Sequence, residues 1–208
     1  MNQKRALRQL KEIEKRTPER AYNGEMRLAA EEWDSDWKIL ISTMMSAQTR
    51  DEVTIPTAEG LFKKYKSVKK LSGARAGEIE KLIRRVNYHK TKARNIIGCT
   101  KMILEEFNGK IPNSVEELIK LPGVGRKTAN VYLSEKGGDN IGVDTHLAYI
   151  SQKLNWTHNK DPHKIERDLE NLFPKIVWGR INSVAVRFGK SYISRREKDK
   201  ILGEIGKR

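Results

Sequence analysis

The chain has 208 residues, enough for one sizeable core or two small domains, and carries 42 Lys and Arg against 27 Asp and Glu, a formal net charge of +15. That balance favours a polyanionic partner, nucleic acid ahead of a membrane surface, over an acidic small molecule, although a solvated basic surface would look the same. The single cysteine, Cys99, excludes an intrachain disulfide and any cysteine-held zinc or iron–sulfur centre. The opening residues lack the apolar core of a signal peptide and no apolar run is long enough to cross a bilayer, so the expectation is a soluble, intracellular protein with no membrane role.

Helical periodicity runs along nearly the whole chain and alternation with a period of two is scarce, which makes the expected fold class all-α. After a basic N-terminal segment, DSDWKILISTMMSAQ offers cap candidates at Asp34 to Asp36. It then crowds Trp37, Ile39, Leu40, Ile41, Met44 and Met45 into a helix expected at the centre of a core. Asp51 to Tyr65 reads as the next helix, with Pro56 either kinking it or delaying its start. Ala76 to Arg85 and Thr91 to Phe107 follow, the latter stopped by Gly109. Ser114 and Glu117 make a capping box for a brief helix ending at Leu121. Val143-Asp144-Thr145-His146 opens another helix through Leu154, and Asp161 to Phe173 and Val177 to Phe188 complete the set. The tail FGKSYISRREKDKILGEIGKR reads as an amphipathic terminal helix packed through Ile193, Ile201, Leu202 and Ile205, with Arg195, Arg196, Lys198 and Lys200 available to phosphate. Trp156 and Trp178 are expected in packing.

The stretch LPGVGRKTAN, Leu121 to Asn130, carries the sharpest chemical signal. Pro122 ends one helix, and Gly123 and Gly125 can close a tight turn before a second helix starts near Arg126. Bare amides at that helix N-terminus, aided by the dipole, suit a phosphodiester. The blander reading is a plain glycine turn between helices. Lys127 stands in the first turn, where the dipole, and burial if present, would disfavour protonation and leave an amine able to act as a nucleophile; a phosphate contact is the alternative. Asp144, 144 minus 127 or seventeen residues on, is an N-cap candidate whose rigidly held carboxylate can also serve chemistry. His146 is read as a structural partner, and His89, His158 and His163 form no metal-ligand grouping, so no metal site is expected.

LPGVGRKTANVYL followed by VDTH resembles the helix-hairpin-helix and Gly/Pro-Asp loop of the endonuclease III family of DNA glycosylases. MSAQTRDEV, KTKARNII and NGKIPNSVEELIK match that family in order and spacing, so the likeness extends from about Trp37 to about Phe188. The resemblance implies an all-α, two-lobed fold with DNA bound between the lobes. The domains would be 29–136, with the hairpin over 114–136, and 1–28 plus 137–208. It implies that Lys127 attacks C1′ of a damaged nucleotide and that Asp144 assists. Gln48 would fill the gap left by an extruded base, although a helix-terminal glutamine satisfied by backbone is its bland reading. Tyr88 stands where the family commonly inserts a leucine, as a wedge or as a capping surface residue. Gly123, Val124 and Gly125 would line the phosphate contact.

The implied reaction is excision of an oxidised pyrimidine from damaged double-stranded DNA, with β-elimination at the abasic site. The protein would act as a monomer near the nucleoid, with handover to an AP endonuclease. Most relatives end in four cysteines holding an iron–sulfur cluster; here Ile193, Lys200 and Gly203 fall at ligand positions, so no cofactor is expected. Two other readings stay open: a monofunctional mismatch glycosylase acting on uracil or thymine opposite guanine, and a catalytically silent hairpin module that only binds DNA.

Overall fold

The computed structural model describes residues 1–207 and is all-α: twelve α-helices, two short 3-10 turns and no strand among the described residues. The chain forms two compact units, one from Arg27 to Lys136 and one joining Met1–Met26 to the stretch from Gly137 onward.

In the continuous unit, α2 (Asp36–Ser46) supplies the centre of the core, with Leu40, Ile41 and Met45 completely enclosed. So many apolar residues in eleven positions leave α2 no polar face, which is why neighbours surround it. α3 (Asp51–Lys64) runs through Pro56 without interruption from a start at Asp51, so the proline does not delay it. Trp33 and Trp37 both meet Phe62 edge-on, with centroids 4.8 and 5.0 Å away. A short α4 (Val68–Ser72) precedes α5 (Ala76–Leu82), which stops three residues before the expected Arg85. α6 (His89–Glu106) begins two residues ahead of the expected Thr91 and is followed by a turn through Asn108 and Gly109, both with positive φ. Ser114 caps α7 (Val115–Leu118), accepting from the Glu117 amide and donating to its carboxylate at 3.0 Å. α8 (Arg126–Glu135) closes the unit, and Lys136 at its end pairs with Asp36 at 2.6 Å.

In the discontinuous unit, α1 (Gln3–Arg16) places Ala6, Leu10 and Ile13 on one stripe at helical spacing and buries all three. α9 (Thr145–Lys153), α10 (Pro162–Leu172), α11 (Trp178–Ser191) and α12 (Arg195–Lys207) complete its core around Phe173 and Phe188. Pro162 sits at the first turn of α10 behind an Asp161 cap, the position where its missing N–H costs nothing. Trp156 is buried against Phe173, its indole N–H donating to Gln9 at 2.8 Å; Trp178 donates to the Phe173 carbonyl at 2.8 Å.

α12 is tied to α1: Arg16 pairs with Glu204 at 2.5 Å and Arg5 donates to the Gly206 carbonyl; Tyr192, just after α11, donates to the Arg16 carbonyl. Leu202 and Ile205 are buried and Ile201 packs at the edge, but Ile193 is 97% exposed. The expectation for Ile193 fails because the helix starts at Arg195, so Ile193 lies on the preceding loop and not on the apolar stripe.

Candidate DNA-binding and catalytic site

The glycine hairpin joins α7 to α8 and rests on α6. Pro122 lies against Gly98, where an added Cβ would come within 3.2 Å of the proline ring. Gly123 has φ +79°, and a Cβ there would stand 2.7 Å from Asn95 Cβ, so both backbone conformation and space require glycine. Gly125 is different: its φ of −90° suits any residue and its Cβ direction is open. It is the N-cap of α8 and offers no side chain to the amides of the first turn. No acidic residue stands in that turn, so the dipole's positive end is left without a carboxylate from its own helix.

Val124 departs from the role expected of it. Its side chain is 5% exposed, within the core of the unit, and its N–H donates to the Leu121 carbonyl at 3.0 Å. Neither its side chain nor its amide is therefore offered outward; the residue anchors the turn, and Gly123 and Gly125 are the exposed members.

Lys127 is exposed on the first turn of α8, one residue past Arg126, whereas Thr128, Ala129 and Asn130 turn into the protein. The burial considered for Lys127 is not found; what the structure gives it is access to solvent. Asp144, in the other unit, caps α9: its Oδ1 accepts from the Leu147 amide at 2.8 Å and it is half-buried. A carboxylate has two oxygens, so the cap occupies Oδ1 and Oδ2 remains for other work. His146 lies over Gly189, where a Cβ would fall 2.1 Å from its Nδ1, so the imidazole is seated in a space that only glycine leaves.

Gln48 and Tyr88 sit in the same unit as the hairpin. Both are exposed, Tyr88 at 65%, and both are left-handed, with φ of 57° and 59°. For residues other than glycine and asparagine this conformation costs roughly 1–2 kcal/mol. Tyr88 is the N-cap of α6 and makes no side-chain cap bond, so its ring stands free of the helix it begins. The two loops are joined. Asn87 donates its side-chain amide to the Gln48 carbonyl and its backbone N–H to Thr49 Oγ1 at 3.1 Å. Lys92 Nζ donates to the carbonyls of Met45 at 2.7 Å and Ala47 at 2.6 Å, and to Thr49 Oγ1 at 3.4 Å. Burial pulls the Lys92 ammonium down to about 8 from its ordinary 10.5. Arg50, Arg84 and Arg85 lie exposed on or beside the same two loops, and Lys90 is exposed on the first turn of α6. Sequence reasoning gave no role to Asn87 or Lys92; the likeness marked only their positions, Asn87 beside Tyr88 in the loop Val86-Asn87-Tyr88-His89 and Lys92 within KTKARNII.

The residues do not fit an iron–sulfur cluster. Ile193, Lys200 and Gly203, at the ligand positions of cysteine-bearing relatives, are exposed and carry no donor for iron. The one cysteine, Cys99, is enclosed in the other unit, and burial pushes its thiol up to about 12. No group of His, Cys, Asp and Glu among the described residues could hold a metal ion.

The profile of the HhH-GPD superfamily base excision DNA repair proteins matches residues 41–175. Endonuclease III of Thermotoga maritima is 38% identical over 157 residues, 74% of this chain and 73% of that protein. Endonuclease III of Synechocystis is 39% identical over 162 residues, 77% of this chain and 74% of that one. Among solved structures, an endonuclease III trapped as a covalent intermediate with DNA, an estranged-adenine complex, superposes with a TM-score of 0.84 at 29% identity. That match covers 94% of this chain and 90% of the other. A non-covalent endonuclease III–DNA complex gives 0.83 at the same identity, covering 94% and 89%. With a hairpin of this geometry and matches over this much of its length, the chain belongs to the endonuclease III family of the HhH-GPD superfamily, the base excision repair glycosylases.

Proposed function

We propose that this protein removes oxidised pyrimidines from duplex DNA and then cuts the abasic strand by β-elimination through Lys127. The observation that carries the reading is an exposed lysine in the first turn of an otherwise bare helix N-terminus, directly after the glycine hairpin. A phosphodiester is the natural ligand of such a terminus, and binding it there would bring the sugar chain within reach of the lysine. The relatives named endonuclease III, and a structural neighbour caught in covalent attachment to DNA, support a nucleophilic step.

In this reading the glycosidic bond breaks with positive charge growing on the sugar, and the carboxylate of Asp144 stabilises it. The Lys127 amine bonds to C1′ as the base leaves with the bonding electron pair and takes a proton. Ring opening gives an imine between Nζ and C1′. Loss of a C2′ proton then expels the 3′ phosphate, and water releases the enzyme. The target nucleotide has to leave the stack, and Gln48 and Tyr88 are assigned to the void and to the adjoining base step. Gly123 and Gly125 present backbone to phosphate.

A thymine-glycol duplex and an abasic duplex, each incubated with and without borohydride, test this. A covalent adduct that Lys127→Ala abolishes supports the lyase. Free base with no adduct replaces it with a monofunctional glycosylase, and neither product reduces the protein to a DNA-binding module.

A further inference from the structure

Four non-glycine residues among those described have positive φ: Gln48, Tyr88, Asn108 and Asn155. Asparagine enters this region readily, whereas glutamine and tyrosine do so under strain and stay there only when surroundings hold them. Gln48 and Tyr88 are also the two residues assigned above to the void and the wedge. What holds them is the same set of bonds. Asn87, next to Tyr88 in the chain, grips the Gln48 carbonyl and Thr49 Oγ1. Lys92, one turn further along, grips the Met45 and Ala47 carbonyls on the other side of Gln48, and Thr49 Oγ1 again. Lys92 is 9% exposed, and its three ammonium protons face three oxygens, an arrangement that leaves the amine no freedom to serve elsewhere.

We propose that Asn87 and Lys92 are positioning residues that lock the Gln48 and Tyr88 loops into one rigid two-pronged probe, so that filling the void and wedging the neighbouring step occur as a single event. The inference rests on the DNA reading above. It differs from a purely structural role for these bonds in what it demands of the DNA: a loosened clip still binds the duplex and fails to distort it.

The test is a duplex holding a tetrahydrofuran abasic analogue opposite 2-aminopurine, whose fluorescence rises when the orphaned base is unstacked. Asn87 is exposed, so Asn87→Ala is the variant that retains the fold, checked by an unchanged melting temperature. It is expected to bind this duplex as tightly as the wild type, to lose most of the fluorescence rise, and to excise thymine glycol about tenfold more slowly in single turnover. Lys92→Met is expected to do the same, more severely. A full fluorescence rise and an unchanged excision rate in Asn87→Ala would overturn the proposal. A wild-type protein that binds the analogue duplex with no fluorescence rise would overturn the assignment of Gln48 and Tyr88 to DNA, and the clip with it. Normal behaviour of the wild type with loss in the variant supports both.

Discussion

The N-termini of α8 and α9 are built on opposite plans. α9 is closed by Asp144, whose Oδ1 accepts the Leu147 amide and whose charge answers the dipole. α7 and α10 are closed likewise, by Ser114 and Asp161. α8 alone among these begins on a glycine with neither a side-chain cap nor an acidic first turn, and carries Arg126 and Lys127 where acids would be favourable. A helix that forgoes about 1 kcal/mol of capping and places cations at its positive end is set up for an anion from outside. The capped terminus holds its carboxylate fixed, and the bare one leaves its lysine exposed.

The contrast can be broken at either helix. The largest effect is expected for Lys127→Ala, which removes the amine and reduces the borohydride-trapped adduct to background on an abasic duplex. Asp144→Asn retains an oxygen for the cap and loses the charge. Single-turnover excision should fall by about 100-fold with little change in melting temperature, whereas Asp144→Ala should add about 1 kcal/mol of destabilisation, read by urea unfolding. Equal stability of the two variants would show that the cap does not matter.

Gly123→Ala places a methyl against Asn95 in a left-handed conformation, and urea unfolding should show a loss of about 2 kcal/mol. Gly125→Asp is the sharper instrument, because φ of −90° and open space let it cap α8 as Asp144 caps α9. It should stabilise the fold by about 1 kcal/mol and weaken binding to duplex DNA about tenfold, measured by fluorescence anisotropy. Stabilisation without weaker binding would remove phosphate from that terminus.

The smallest effect concerns the opposite pole of a helix. Lys92 satisfies carbonyls at the end of α2, with its pKa lowered by burial from 10.5 to about 8. Below pH 8 both folded and unfolded chains hold that proton. Between pH 8 and 10.5 the unfolded chain holds more of it, so stability contributed at this site rises with pH through that window. Urea melts across the window should show the wild type gaining on Lys92→Met, and parallel curves would contradict the shift.

What the sequence discloses and what it hides divides along the same physical line. Local signals are legible: the Asp161-Pro162 start of α10, the Ser114 box, the Gly109 stop and the two-glycine turn each act within four residues. α4 escapes because Val68–Ser72 is too short to show a period, and α6 starts early because Tyr88 takes a conformation that nothing in its side chain advertises. Ile193 looks like part of an apolar stripe until the helix boundary at Arg195 excludes it. The bonds from Asn87 and Lys92 to residues 45–49 span 38 to 47 positions, and no spacing rule reaches that far. Lys127 and Asp144 are candidates from local chemistry, while Gln48 and Tyr88 came into view only through likeness to a family.

The α1–α12 tie has a consequence for how the polypeptide reaches its native state. α1 is made before the whole of the unit from Arg27 to Lys136, yet the helix that Arg5 and Arg16 grip is made after it. The unit from Arg27 to Lys136 can collapse during synthesis, while Leu10 and Ile13 must wait, their apolar stripe open to water, until the segment from Gly137 onward has been made. That interval is where chaperone dependence and off-pathway association would concentrate.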